Sequence, residues 1–201
     1  MSPISSIILA AGLSLRMGSL KQLLPLSGKP LIRHCLDTVL ASGVCDIIVV
    51  VGFHGGEIAK AINELPLRVV FNKLQGSEMA DSIRAGLPEA AQSSTGIIVY
   101  PCDYPLVAPE TIATLCKEHD KCPDRIIIPV HNGKKGHPAL FPRDVINEMF
   151  EGITLRDIMK KDPGRLCLVP VPDSGTLLEV DTREDYEKIV RIMHLAGEFP
   201  A

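Results

Sequence analysis

The sequence predicts an α/β fold with a mostly parallel sheet covered by helices, and three observations carry that prediction. Continuous β-branched runs alternate with stretches of helical periodicity, the pattern of repeated βαβ units. Trp is absent, with only five Phe and three Tyr, so the core must be built from Ile, Val, Leu and Ala, which suits strands buried on both faces. The 201 residues carry no tandem repeat, low-complexity tract or linker, so residues 1–201 are read as one domain.

The elements follow in order. Strands are expected at Ile4–Ala10, Asp46–Gly52, Arg68–Phe71, Gly96–Tyr100 and Arg125–Val130, with shorter ones at Ala139–Phe141, Leu166–Val171 and Leu177–Val180. Pro30 suits a first helical position; Leu31, Leu36, Val39 and Leu40 then form an apolar stripe that Gly43 ends. Glu57–Leu65, Ser77–Ala91 (with Ser77 a candidate N-cap) and Pro109–His119 read as further helices. A last helix follows Thr182, which stands three residues before Asp185 in a capping box with Asp in place of Glu.

Composition excludes several classes. A formal charge of −3 offers no basic excess for a nucleic acid or an anionic membrane. The longest apolar run, Ile47–Gly52, is too short to cross a bilayer. The six cysteines form no Cys-x-x-Cys pair, and the N-terminus does not read as a signal peptide, so reduced thiols and a cytoplasmic location are expected.

The first strand runs into Leu9-Ala-Ala-Gly-Leu-Ser-Leu-Arg-Met-Gly-Ser-Leu-Lys21. Small residues at a strand's carboxyl end (Ala10, Ala11, Gly12) let a ligand approach the backbone. Exposed N–H groups with Ser14 can cradle phosphate oxygens, and Arg16 and Lys21 add cationic donors. Neither G-x-x-x-x-G-K-S/T nor G-x-G-x-x-G is present, which disfavours a P-loop NTPase and a dinucleotide-binding unit. On chemistry alone the loop is either a phosphate cradle or a solvated surface loop. Asp103 stands at the end of the strand Gly96–Tyr100, and Asp181 stands between Leu177–Val180 and the last helix. Each is a Mg²⁺ ligand or a capping aspartate.

The loop closely resembles the signature L-A-A/G-G-x-S-x-R-M-G-x-x-K of the MobA-like nucleotidyltransferases, both basic positions included. Asp103-Tyr-Pro resembles the family's Asp-x-Pro metal motif. Val180-Asp-Thr-Arg-Glu-Asp-Tyr resembles its Asp-Ile-Asp-Thr-Pro-Glu-Asp-Tyr segment, with Glu179 in place of the first Asp and Arg183 in place of Pro. Asn72, Met79, Ser82 and Gly86 match a further segment, in which Glu78 stands where relatives have Gly; Gly136-His137-Pro138 matches another. The resemblance implies a Rossmann-like three-layer α/β/α sandwich of the nucleotide-diphospho-sugar transferase type. It implies nucleotide contacts from Leu9, Ala10, Ala11, Gly12, Ser14, Lys21, Asn72 and Ser82, catalytic roles for Arg16 and Lys21, and Mg²⁺ on Asp103 and Asp181. Gly136, His137 and Pro138 fall on the acceptor side, where Lys134 and Lys135 either attract a phosphate or are simply solvated.

Ala11 points to the cytidylyltransferases of the family, the guanylyltransferase branch having Gly there. The implied reaction is Mg²⁺-dependent transfer of CMP from CTP to molybdopterin or molybdenum cofactor, releasing pyrophosphate. A molybdenum hydroxylase or its insertion chaperone is the implied protein partner. The alternatives are GTP or another phosphate acceptor on the same fold, and a non-catalytic protein that delivers the cofactor. The segment Gly152–Ile158 lacks the usual acceptor element, with only Arg156 corresponding.

Overall fold

The structure is a computed structural model and describes residues 2–12, 20–53, 55–74 and 76–196. Its strands are β1 (Ile4–Ala10), β2 (Pro25–Leu26), β3 (Lys29–Pro30), β4 (Asp46–Val51), β5 (Arg68–Phe71), β6 (Gly96–Pro101), β7 (Ile126–His131), β8 (Lys134–Lys135), β9 (Ala139–Pro142) and β10 (Leu166–Pro170). Its helices are α1 (Leu31–Ala41), α2 (Gly56–Ala61), α3 (Met79–Gly86), α4 (Pro109–Lys121), α5 (Arg143–Ile146), α6 (Leu155–Lys161) and α7 (Arg183–Ala196).

The main sheet has the order β10-β7-β9-β6-β1-β4-β5, with β8 paired to β7 and β2–β3 forming a separate hairpin. β1 pairs in parallel with β4 and β6, β4 with β5, and β7 with β10; β9 runs against both of its neighbours. The expected mostly parallel sheet is therefore present.

Strand alternation divides the core in two. Ile8, Val49, Val51, Ile98 and Tyr100 pack with Ile32, Leu36, Ile58, Ile112 and Leu115 from α1, α2 and α4. Ile7, Ile48, Val50, Ile97 and Val99 pack on the other face with Ile83, Ile146 and Ile158 from α3, α5 and α6. Two apolar faces on the same strands give the three layers that the sequence implies. Helix α7 lies against Leu26, Leu31 and Val180. Among the described residues no helix is long and apolar enough to cross a membrane.

Several expectations are corrected. Leu177–Val180 is not a strand: a 3-10 turn covers Ser174–Leu177, because Asp173 accepts from the backbone N–H of Gly175 (2.8 Å) and of Ala108 (2.8 Å). The chain then meets the sheet's end through one bond, Val180 N–H to the Asp103 carbonyl at 2.8 Å. Helix α2 stops at Ala61, short of Leu65, and a turn follows in which the Leu65 N–H donates to the Ile62 carbonyl at 3.2 Å. Helix α3 is capped by Glu78 rather than Ser77, the Asp81 carboxylate accepting from the Glu78 N–H at 2.9 Å. It gives way to a 3-10 turn at Leu87–Glu89, where Pro88 supplies no N–H. Thr182 and Asp185 cap α7 reciprocally as expected, at 2.9 and 3.2 Å.

Candidate active site

The chain leaves β1 on one side for β4 and β5, then crosses to pair β6 on the other side of β1. At such a switch point the loops after the two strands part, and a crevice opens beyond their carboxyl ends. Ala10-Ala11-Gly12 and Pro101-Cys102-Asp103 form its floor, joined by the Cys102 N–H donating to the Leu9 carbonyl at 3.1 Å.

Leu9 and Ala10 are buried in the sheet, so they can offer a nucleotide their backbone, not their side chains. The buried Gln22 donates through Nε2 to the carbonyls of Ala10 (3.1 Å) and Gly12 (2.8 Å), fixing the backbone as it leaves β1. Gly52, at the end of β4, has room for no side chain: a Cβ there would lie 2.8 Å from the Ala11 carbonyl oxygen. Ser14 and Arg16 lie outside the described residues.

The 3-10 turn Lys21–Leu23 holds Lys21 buried. Its ammonium donates to Asp103 Oδ2 at 2.9 Å and to the Val180 carbonyl at 2.9 Å, and lies 3.8 Å from Asp181 Oδ1. Burial works against this charge, but the Asp103 carboxylate beside it, its hydrogen bond and Asp181 prevail, holding the Lys21 pKa above its ordinary value. Lys21, Asp103 and Asp181, from three distant parts of the chain, thus meet at one point. Lys29, by contrast, pairs with Asp37 and adds no charge to the crevice.

Asp103 Oδ1 is buried and accepts no hydrogen bond from the described residues. Asp181, a neighbour of the same ammonium, keeps 43% of its side chain exposed. A buried carboxylate oxygen with no partner among the described residues, beside a second, partly exposed carboxylate, is a donor set of the kind a hard divalent cation takes. The residues fit such an ion.

In the segment Gly136–Pro138, the His137 ring packs against Tyr104 with centroids 4.7 Å apart, and the His137–Pro138 peptide is cis. The His137 N–H donates to the Thr176 carbonyl at 2.9 Å, and that of Gly136 to Pro129 at 2.8 Å. A Cβ on Gly136 would fall 2.6 Å from the Thr176 carbonyl oxygen. Burial lowers the His137 pKa, Asp103 only partly opposing it, so the ring is neutral at pH 7. The Tyr104 hydroxyl donates to Glu179 Oε2 at 3.2 Å; burial and then Asp103 raise the Glu179 carboxyl above its usual range. Asn72 and Ser82 are both buried and bond to one another, Nδ2 to Oγ at 3.2 Å, between the end of β5 and α3. Lys134 and Lys135 on β8 are exposed, as is Arg156 on α6.

Sequence reasoning missed Gln22, Tyr104 and Thr176. Gln22 carries no signal beyond its place next to Lys21, and the roles of the other two arise only through tertiary packing.

The chain belongs to the MobA-like NTP transferase domain family, whose model matches residues 6–162. It is 28% identical over 191 residues to the molybdenum cofactor cytidylyltransferase of Escherichia coli, covering 92% of this chain and 95% of that one. It is 27% identical over 199 residues to nicotine blue oxidoreductase of Paenarthrobacter nicotinovorans, covering 93% and 96%. A 35% match over 121 residues to the bifunctional protein GlmU of Symbiobacterium thermophilum covers 59% of this chain, which spans about a quarter of that longer relative, 26%. Among solved structures, a nucleotidyl transferase from Methanothermobacter thermautotrophicus superposes with a TM-score of 0.84 at 24% identity, covering 96% and 99%. A Mycobacterium tuberculosis protein in complex with manganese superposes at 0.76 with 25% identity, covering 94% and 98%.

Proposed function

We propose that this member of a nucleotidyltransferase family transfers CMP from CTP to the terminal phosphate of a molybdopterin-type acceptor in the cytoplasm, with Mg²⁺ as its metal. The observation that carries the reading is the meeting of Lys21, Asp103 and Asp181 at the switch point, with Asp103 Oδ1 buried and without a hydrogen bond among the described residues. Full-length similarity to a molybdenum cofactor cytidylyltransferase supports the acceptor, and Ala11 supports CTP.

In this reading the backbone of Leu9–Gly12, held by Gln22, receives the nucleotide, with Ser14, Asn72 and Ser82 as further polar contacts. An acceptor phosphate oxygen attacks the α-phosphorus, the bond from that phosphorus to the oxygen of the β-phosphate breaks, and pyrophosphate leaves with the electron pair. A phosphate oxygen is already a competent nucleophile, so His137, neutral and packed on Tyr104, serves to position the acceptor with Gly136 and Pro138 rather than to take a proton. Lys21 and Arg16 stabilise the negative charge that spreads onto the triphosphate oxygens. Asp103 and Asp181 would hold the Mg²⁺, which supplies Lewis-acid polarisation and charge neutralisation when bound. A product of this kind suits consumption by a molybdenum hydroxylase or its insertion chaperone.

The test is pyrophosphate release with CTP, GTP or ATP, with and without molybdenum cofactor, and with Mg²⁺ or chelator. Release only with CTP, cofactor and Mg²⁺ is the expected result. Release with GTP or without the pterin reassigns donor or acceptor. Tight pterin binding with no release under any triphosphate would make the chain a delivery protein. The likeness to nicotine blue oxidoreductase favours a second reading, reduction of an organic substrate in the same crevice. Substrate-dependent NADH or NADPH oxidation without pyrophosphate release would establish it.

A further inference from the structure

At the other end of the sheet, α4 and the edge strand β10 bring three side chains of metal-ligating type together. Glu118 lies in the last turn of α4, Cys122 caps that helix, and Cys167 is the second residue of β10, opposite Ile127 of β7. Among the described residues this is the one group of three in which a ligand atom from each residue lies within 4.8 Å of the others. Helix α4 runs back from the carboxyl end of β6 and ends just before β7 starts. The cluster therefore sits at the amino-terminal end of the strands, away from the crevice, and no step proposed there uses it.

The spacing suits a tetrahedral ion. With metal–sulfur bonds of about 2.3 Å and metal–oxygen bonds of about 2.0–2.2 Å, neighbouring ligand atoms lie roughly 3.4–3.8 Å apart, within reach of small side-chain rotations from a 4.8 Å ceiling. Lys121 donates to Glu118 Oε2 at 2.8 Å and orients the carboxylate without using its second oxygen. All three residues are half-buried, so solvent can deliver an ion. Two sulfurs select a thiophilic ion over Mg²⁺, which prefers the all-oxygen pair at Asp103 and Asp181.

We propose that Glu118, Cys122 and Cys167 form a structural site for one thiophilic divalent cation of the zinc type, with water as fourth ligand. The ion ties the edge strand β10 to the end of α4. Each thiol gives its proton to solvent on binding, two protons per ion. The site is independent of the reaction proposed above and stands or falls without it.

Full-length, reduced, metal-free protein titrated with Co²⁺ tests the site. The expected result is one Co²⁺ per chain, with tetrahedral ligand-field bands and a thiolate-to-cobalt charge-transfer band, displaced by Zn²⁺. Cys122→Ser and Cys167→Ser should each abolish the charge-transfer band at that stoichiometry. Glu118→Gln should weaken binding at least as much as the about 10–100-fold that losing a supporting hydrogen bond costs a metal site. Asp103→Asn should leave the band intact. Zn²⁺ should raise the unfolding midpoint of the parent chain and not that of Cys122→Ser. If Cys167→Ser fails to fold, Cys122→Ser at the helix end carries the test. Absence of the band, its survival in Cys122→Ser, or its loss in Asp103→Asn overturns the proposal.

Discussion

Lys21 offers the sharpest test of the crevice, because its charge is committed to the fold and, in the proposed reaction, to the chemistry. The ammonium is nearly buried and lies 2.9 Å from Asp103 Oδ2, while Asp103 Oδ1 has no partner among the described residues. Lys21→Met therefore strands a carboxylate, and breaking such a pair from one side costs about 3 kcal/mol. In a chain of this size that is a fall in Tm of roughly 6–12 °C. The same change removes a donor from the proposed transition state, about 10²–10³ in kcat. The two losses can be separated. Adding Asp103→Asn to Lys21→Met removes the stranded charge and should restore much of the stability. It cannot restore activity, since the proposed metal ligand goes with it. Thermal unfolding of the parent, both single variants and the double variant, alongside pyrophosphate release, gives the full cycle. A Lys21→Met protein as stable as the parent, or a double variant no more stable than Lys21→Met, would refute the pairing argument. Near-normal turnover in Lys21→Met would remove the lysine from the chemistry.

Three further outcomes are expected. Gly52→Ala puts a Cβ 2.8 Å from the Ala11 carbonyl oxygen and should displace the backbone proposed to receive the nucleotide, at about 1–3 kcal/mol in denaturant unfolding and with a raised KM for the triphosphate. Gln22→Ala removes two hydrogen bonds to the carbonyls of Ala10 and Gly12, costing about 1–3 kcal/mol, and isothermal titration should show weaker triphosphate binding. Stability of the metal-free chain should fall with pH below the ordinary histidine value of 6.5, because burial lowers the pKa of His119, whose Nδ1 has no hydrogen-bond partner among the described residues. A lowered histidine stabilises the fold fully above 6.5 and loses that contribution as pH falls toward the folded-state value. Denaturant midpoints at pH 7 and pH 5.5 should differ less in His119→Leu than in the parent.

Much of the fold was legible because it rests on local patterns. Ile4–Ala10 and Arg68–Phe71 have the predicted bounds, and Gly43 takes the positive φ expected of a residue ending a helix. The misreadings have tertiary causes. Leu177–Val180 looks like a strand, but Asp173 holds Gly175 in a turn and ties it to α4 through Ala108 and Thr111. Helix α6 did carry a signal, Thr154 three residues before Asp157, whose capping bonds are present at 3.0 and 3.3 Å. In the site, Asp103 could be placed because a buried strand delivers it. Its bond to Lys21 spans 82 residues and follows from no periodicity.

Adjacent residues divide the labour of tying the chain to the ends of β1 and β6. Gln22 reaches back to the carbonyls of Ala10 and Gly12, while Lys21 reaches down to Asp103 and the Val180 carbonyl. The backbone is thus fixed where it leaves β1 and again at the 3-10 turn Lys21–Leu23, and both anchors are buried side chains. Chain entropy that nucleotide binding would otherwise have to remove is already removed at these two points. The consequence is a contrast between neighbours in sequence. Lys21→Met should lose stability and activity together. Arg16→Ala, in the stretch between the anchors, should lose about 10²–10³ in kcat with Tm unchanged, since its assigned partner is the substrate. The comparison needs only unfolding curves and pyrophosphate release on the two variants. A fall in Tm for Arg16→Ala matching that of Lys21→Met would mean that the arginine serves the fold, and that phosphate binding must be sought elsewhere in the crevice.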